Sequence, residues 1–286
     1  MPKHDDIEGR KIPILAYHSW RFSSDNYTDN DHVALTEDLK LIDEMGLKVV
    51  PLSMALSEAK RPSIKYPLVG LTFDDGAVYD FKGSADSPGT VCPGFYPVLK
   101  THCRKKSIFR RVQPWLHATS FVIASSQAHD QINRGHGDDF NWLEPDAWSD
   151  SWWVDAAKSD FLGIGNHSWD HNHPSVDTVI DSPSGDFFCV NNFENAEKEI
   201  AVAQHELKAK HDIDCPYFAY PWGHCSEYLS EQYLPQNGAS LGLLAAFTTE
   251  PTYLTRDSHI WRIPRFVCGD HWKSTGELAH ILSQAR

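Results

Sequence analysis

Several things are missing from this 286-residue chain. No run of about eighteen apolar residues occurs, so no transmembrane helix is expected. The start, Met1 to Arg10, is polar and charged and lacks the apolar stretch of an export signal. A cytoplasmic protein is the expectation. Six cysteines (Cys92, Cys103, Cys189, Cys215, Cys225 and Cys268) are scattered without a CxxC pair, which argues against a thiolate zinc site or a redox motif. Free thiols are expected, with disulfides only in an exported protein. Positive charge is also short: 26 Lys and Arg stand against 39 Asp and Glu, a formal net charge of −13. Nucleic acid and acidic polymers are therefore poor partners.

What is present suits a folded enzyme-sized domain. Hydrophobic residues at 41% and charged residues at 23% allow a sizeable core and exclude a disordered or fibrous chain. The ten Trp serve either a large core or the faces of sugar rings. Apolar, β-branched runs alternate with amphipathic stretches throughout, which is the pattern of βα units. Strands are expected at Ile12–His18, Lys48–Leu52, Leu68–Asp74, Ala118–Ala124, Phe161–Asn166, Tyr217–Tyr220, Leu243–Thr248 and Ile260–Val267. Helices are expected at Leu35–Met45, Phe95–Lys105, Pro145–Lys158, Glu194–His211, Glu227–Leu234 and Gly276–Gln284. Seven or eight βα repeats without a linker predict one α/β domain over residues 1–286, a distorted (β/α)7–8 barrel behind a short tail at 1–11. Residues 79–117 form a connection longer than usual, read as a surface insertion with a basic Arg104–Arg111 patch, and Ser125–Asn141 reads as a loop.

Three strings carry chemistry. Leu71-Thr72-Phe73-Asp74-Asp75-Gly76 ends an apolar strand in two carboxylates and a glycine. One carboxylate can hold a metal while the other takes a proton from water, or the pair can simply cap a helix. Asn166-His167-Ser168-Trp169-Asp170-His171 places two imidazoles four residues apart, again after a strand. Sixteen His make chance pairs expected, but one carboxylate and two imidazoles at the ends of two strands of one barrel describe a catalytic metal site with an open position. Phe218-Ala219-Tyr220-Pro221-Trp222-Gly223 is a turn with an aromatic on either side of a proline.

These strings resemble the polysaccharide deacetylase family, the NodB-homology domain of carbohydrate esterase family 4. TFDDG is similar to its first motif, HSWDH to its second, and the Tyr220-Pro221-Trp222-Gly223 turn to its third. Ala118-Thr119-Ser120-Phe121 resembles the strand after its first helix, and the likeness runs from Ile12 to Leu282. The resemblance implies Asp74 as catalytic base, Asp75, His167 and His171 as ligands of a divalent metal, and the Trp222 N–H at the developing oxyanion. Tyr220, Trp222 and Trp169 become the expected substrate contacts. Zinc suits the donors first, with cobalt, nickel and manganese as alternatives.

Two departures from the family's pattern matter. Ala219 stands where many members carry an arginine, and Arg265, in Ile263-Pro264-Arg265-Phe266, is the expected replacement beside Asp74. The late Leu-x-His of the family is matched instead at Leu15-Ala16-Tyr17-His18, as in a permuted branch, so His18 is the expected general acid, with His271 and His280 competing. The implied activity is hydrolysis of an N-acetyl group on a carbohydrate. A hydrolase of small acylamides or cyclic imides, a catalytically inactive glycan-binding protein and a non-haem iron oxygenase are the other readings; βα alternation disfavours the last. Oligomeric state is not legible.

Overall fold

A computed structural model describes residues 10–61, 66–84, 90–104, 113–135 and 143–285. Eight strands are seen among them: β1 (Ile14–Tyr17), β2 (Lys48–Val50), β3 (Leu68–Phe73), β4 (Ala118–Val122), β5 (Leu162–Asn166), β6 (Tyr217–Ala219), β7 (Ala245–Phe247) and β8 (Phe266–Val267). All pairs are parallel, in the order β7-β6-β5-β4-β3-β1-β8, with β2 alongside the start of β3. Strands buried on both faces read as continuous apolar runs; all six residues of β3, LVGLTF, are buried.

The segment that carries β8 is bonded on both sides. Phe266 and Val267 pair with Leu15 and Ala16 of β1, while Ile263, three residues earlier, bridges Phe247 of β7. The Thr248 N–H donates to the Ile263 carbonyl at 2.8 Å, and the Ile263 N–H to the Ala246 carbonyl at 2.8 Å. The path of pairing thus returns to its start, giving a distorted α/β barrel.

Side chains alternate across this ring. Leu15, Tyr17, Leu71 and Phe73 pack outward under the helices, whereas Ile14, Val50, Phe121, Ala219, Phe247 and Ile263, from strands all round the ring, pack with one another. Residues from opposite sides can meet only in the interior.

Helices cover the outside. Asp31–Glu44 opens on Asn30, whose side chain accepts from the His32 and Val33 N–H groups. Phe95–Arg104 belongs to the long connection after β3, and that connection is more than surface: Tyr79, Cys92, Phe95, Leu99 and Leu116 are in the main core. Residues 1–9 of the expected tail and 105–112 of the basic patch lie outside the described residues; Arg10 itself is buried and paired with Glu58. The stretch expected as a loop from Ser125 begins with a helix, Ser126–Gly135, and the helix expected at Pro145–Lys158 is reduced to Trp153–Ala157. The expected Glu194–His211 helix is one helical run of three pieces, Phe193–Ala196, a π-segment Glu197–Ala201 and Val202–His211. The six cysteines form no disulfide among the described residues, and no described helix is long and apolar enough to cross a membrane.

Candidate metal centre and hydrolytic site

Register puts the motifs on one rim. Tyr17 is opposite Phe73, Val122 is opposite Asn166, and Ala219 is opposite Phe247. The next residue of four of these strands, His18, Asp74, His167 and Tyr220, therefore leaves the barrel at its C-terminal end, where the chain is free of the ladder and can form a site. Gly76 lets the first motif turn there: its φ is +72°, and a Cβ would lie 2.8 Å from the Val122 Cα. Only glycine fits both the backbone angle and the contact.

Asp75, His167 and His171 converge. The Asp75 Oδ1 is 3.4 Å from His167 Nε2 and 3.3 Å from His171 Nε2, and the candidate donor atoms of all three lie within 4.8 Å of one another. Zinc bonds of about 2.0–2.1 Å in a tetrahedron set neighbouring donors about 3.3–3.4 Å apart, so the carboxylate-to-imidazole spacings fit such an ion. Each donor is oriented from behind. The Ala219 carbonyl accepts from His167 Nδ1 at 2.9 Å, which leaves a lone pair on Nε2. Trp20 Nε1 donates to the other Asp75 oxygen at 2.8 Å. Burial pushes the His171 pKa down, keeping the ring neutral. Burial raises the Asp75 pKa, but its contacts with His167 and His171 outweigh that and hold the carboxyl well below its ordinary range. An anionic carboxylate beside two imidazoles is a donor set able to hold a divalent metal.

Asp74 is held differently. Arg265, fully buried, donates from Nη1 and Nη2 to its two oxygens at 2.7 Å each, and further to the Thr72 hydroxyl and the Thr248 carbonyl at 3.0 Å. The guanidinium also lies 5.4 Å from the Phe121 ring centroid. Burial raises the Asp74 pKa, yet Arg265 and then His167 carry it below the ordinary value. His18 is near enough to both carboxylates to contribute to lowering their pKa values. Its backbone N–H donates to Asp31 Oδ2 at 2.8 Å, its ring lies edge-on to Trp20, and its buried Nδ1 has no hydrogen-bond partner.

No family model matches the chain, and no curated protein matches it by sequence. Solved structures do match. IcaB from Ammonifex degensii superposes with a TM-score of 0.60 at 21% identity, over 97% of this chain and 98% of its own. The Streptococcus pyogenes deacetylase PplD, in complex with acetate, gives 0.58 at 17%, over 95% and 98%. A polysaccharide deacetylase from Bacillus cereus gives 0.57 at 13%, over 96% and 69%. The chain has the polysaccharide deacetylase fold.

In this deacetylase fold the third motif borders the candidate metal centre through Trp222. Its ring is 4.7 Å from that of His171 and 43% exposed, and its backbone is left-handed, φ 59° and ψ 4°. Tyr220 is not beside it. That ring is fully buried against Phe218, and its hydroxyl donates to the Trp261 carbonyl at 2.8 Å, so it shapes the turn and offers nothing to a substrate. Trp169 is half-buried and packs against the main core. His271 uses Nδ1 to accept from the Val267 N–H at 2.7 Å, and His280 is exposed on the helix Thr275–Ser283, away from the site. Trp20 and Asp31 are the site residues that sequence reading missed; the only signal for Trp20 is its place two residues after His18 at a strand end.

Proposed function

We propose that this chain is a metal-dependent member of the polysaccharide deacetylase family that removes the N-acetyl group from an amino-sugar glycan or oligosaccharide. The observation that carries this is the pairing of two different carboxylates: Asp75 spaced for a metal with His167 and His171, and Asp74, next in sequence, clamped by Arg265. When bound, the metal supplies a Lewis acid that polarises the acyl oxygen and acidifies water. Zinc is proposed first, with cobalt, nickel or manganese as substitutes.

The chain's own groups do the rest. Asp74, kept ionised by Arg265, takes the proton of the attacking water. His18, at the end of β1 and near both carboxylates, donates a proton to the departing amine. The Trp222 N–H faces the oxygen that becomes negative, and the exposed Trp222 ring receives the sugar, with Trp169 as a second contact. Acetate release from N-acetylated oligosaccharides with each metal tests the reading. His167→Ala should lose metal by elemental analysis. Asp74→Asn should keep metal and lose turnover by about 10²–10⁴. No acetate from any N-acetyl sugar with any of the four metals would sink the assignment, and a His167→Ala protein at wild-type metal content would sink the ligand set.

A further inference from the structure

The turn that follows β1 aims one indole at the candidate metal ligands. The Arg21 N–H donates to the His18 carbonyl at 3.1 Å and closes the turn, and the Asp31 N–H donates to the Arg21 carbonyl at 2.8 Å. The His18 N–H donates to Asp31 Oδ2 at 2.8 Å, His32 Nε2 to the Ser19 carbonyl at 2.7 Å, and Arg21 Nη1 to the Cys268 carbonyl at 2.7 Å. Ser19 and Phe22 are fully buried. The turn is thereby fastened to the first residues of the helix Asp31–Glu44, and Trp20 has its direction set by the backbone on either side.

The indole gives its one N–H to Asp75. Trp20 Nε1 donates to Oδ2 at 2.8 Å, whereas Oδ1 is the oxygen that lies 3.4 and 3.3 Å from Nε2 of His167 and His171. The two oxygens of one carboxylate therefore have different partners. Asp75 also has a left-handed backbone, φ 74°, which restricts how its side chain leaves the strand end. An indole has a donor and no acceptor, so Trp20 cannot be a metal ligand and can act only through the carboxylate. Its other contacts are those of a ring: it packs partly against the main core and lies edge-on to His18 with centroids 6.0 Å apart. A phenyl ring would serve for both. The N–H is the part of the side chain that packing does not require.

A carboxylate offers a metal one oxygen or two. Two oxygens suit ions that take many oxygen ligands, such as calcium and manganese, whereas catalytic zinc takes single atoms from three protein groups and keeps a position open. With Oδ2 held by the indole, Asp75 presents Oδ1 alone.

We propose that Trp20 is a positioning residue that limits Asp75 to one metal bond and so sets a preference for zinc over manganese. This rests on the metal centre read at Asp75, His167 and His171. The test compares wild type, Trp20→Phe and His18→Ala, each stripped with a chelator and titrated with zinc alone and manganese alone in competition with that chelator. Trp20→Phe should bind zinc about ten- to hundredfold more weakly and manganese no more weakly than wild type, so that the ratio of affinities falls by the same factor. His18→Ala removes the neighbouring ring but not the N–H and should keep the wild-type ratio. X-ray absorption at the zinc edge of the loaded wild type should show a carboxylate bound through one oxygen, a reading that needs no variant to fold. Equal losses for both metals in Trp20→Phe, or a ratio that falls as far in His18→Ala, would reduce Trp20 to packing and overturn the inference. A wild type with a two-oxygen carboxylate would overturn it as well, while leaving the metal centre in place. A wild type that bound neither metal would overturn the metal centre and this inference with it.

Discussion

The Arg265–Asp74 pair sits where charge is costly unless matched, and both carboxylate oxygens are matched by one planar guanidinium. Removing one partner of such a pair leaves the other buried and unpaired, which costs about 3–5 kcal/mol. Arg265→Met should therefore lower unfolding free energy by that order in urea titrations. Arg265→Lys should recover part of it, because a single ammonium cannot span both oxygens; full recovery by Lys would mean that geometry at this pair is irrelevant. His18 makes a separate case. His18→Ala should lower kcat while leaving metal content near wild type, and an activated leaving group should recover part of the loss. A histidine that matters only for packing would instead lower stability and harm all substrates alike. The candidate ligand residues Asp75, His167 and His171 were legible because each lies in a local string at a strand end. The burial of Tyr220 was not legible because sequence shows an aromatic beside a turn without showing which way its hydroxyl points. Trp20 was invisible because its partner, Asp75, is 55 residues away.

At the scale of elements, periodicity found the strands because each is short, apolar and buried. It failed for helices whose residues are committed elsewhere. The stretch from Pro145 has Ala147 and Trp148 buried outside any helix, and only Trp153–Ala157, opened by Trp152, completes turns. The polar stretch after Ser125 folds as a helix because that residue caps it: its hydroxyl accepts from the Ala128 N–H at 3.1 Å. The third-motif turn is the element with least tolerance. Gly223 has φ +72°, and a Cβ there would come within 1.9 Å of Thr249 Oγ1. Gly223→Ala should shift the Trp222 backbone and lower kcat at least tenfold with metal content retained, while Thr249→Ser, which keeps the wall, should be nearly silent. An active Gly223→Ala enzyme would show that the oxyanion donor lies elsewhere. Five of the six described non-glycine residues with positive φ (Asp75, Ser168, His171, Asn172 and Trp222) fall in or beside the three motifs, with Asp212 the exception. Such angles persist where surrounding structure over-determines them.

For the molecule as a whole, the buried acids set the pH response. Burial pushes Asp80 up to about 8, with Asp75 and Asp74 adding to the rise against a hydrogen bond from Ser120. A carboxyl whose folded pKa is raised binds its proton more tightly in the native state, so its contribution is full below the unfolded value near 4 and is lost as pH rises toward 8. Stability of the metal-free protein should fall across that window with a slope of up to about 1.4 kcal/mol per pH unit for this proton. Asp80→Asn should flatten the profile, and an unchanged slope would place the titrating group elsewhere. The barrel class was readable from βα alternation, but its closure was not, since nothing local says that one segment pairs with β7 at Ile263 and with β1 at Phe266. That segment carries Arg265, which lies 191 positions after Asp74. During synthesis at about 5–20 residues per second, the base therefore waits about 10–40 s for its counter-charge. Until that strand is made, a nascent chain holds a carboxylate that cannot yet be buried as an ion, so the Asp74–Arg265 pair forms only after the other strands of the barrel have been synthesised.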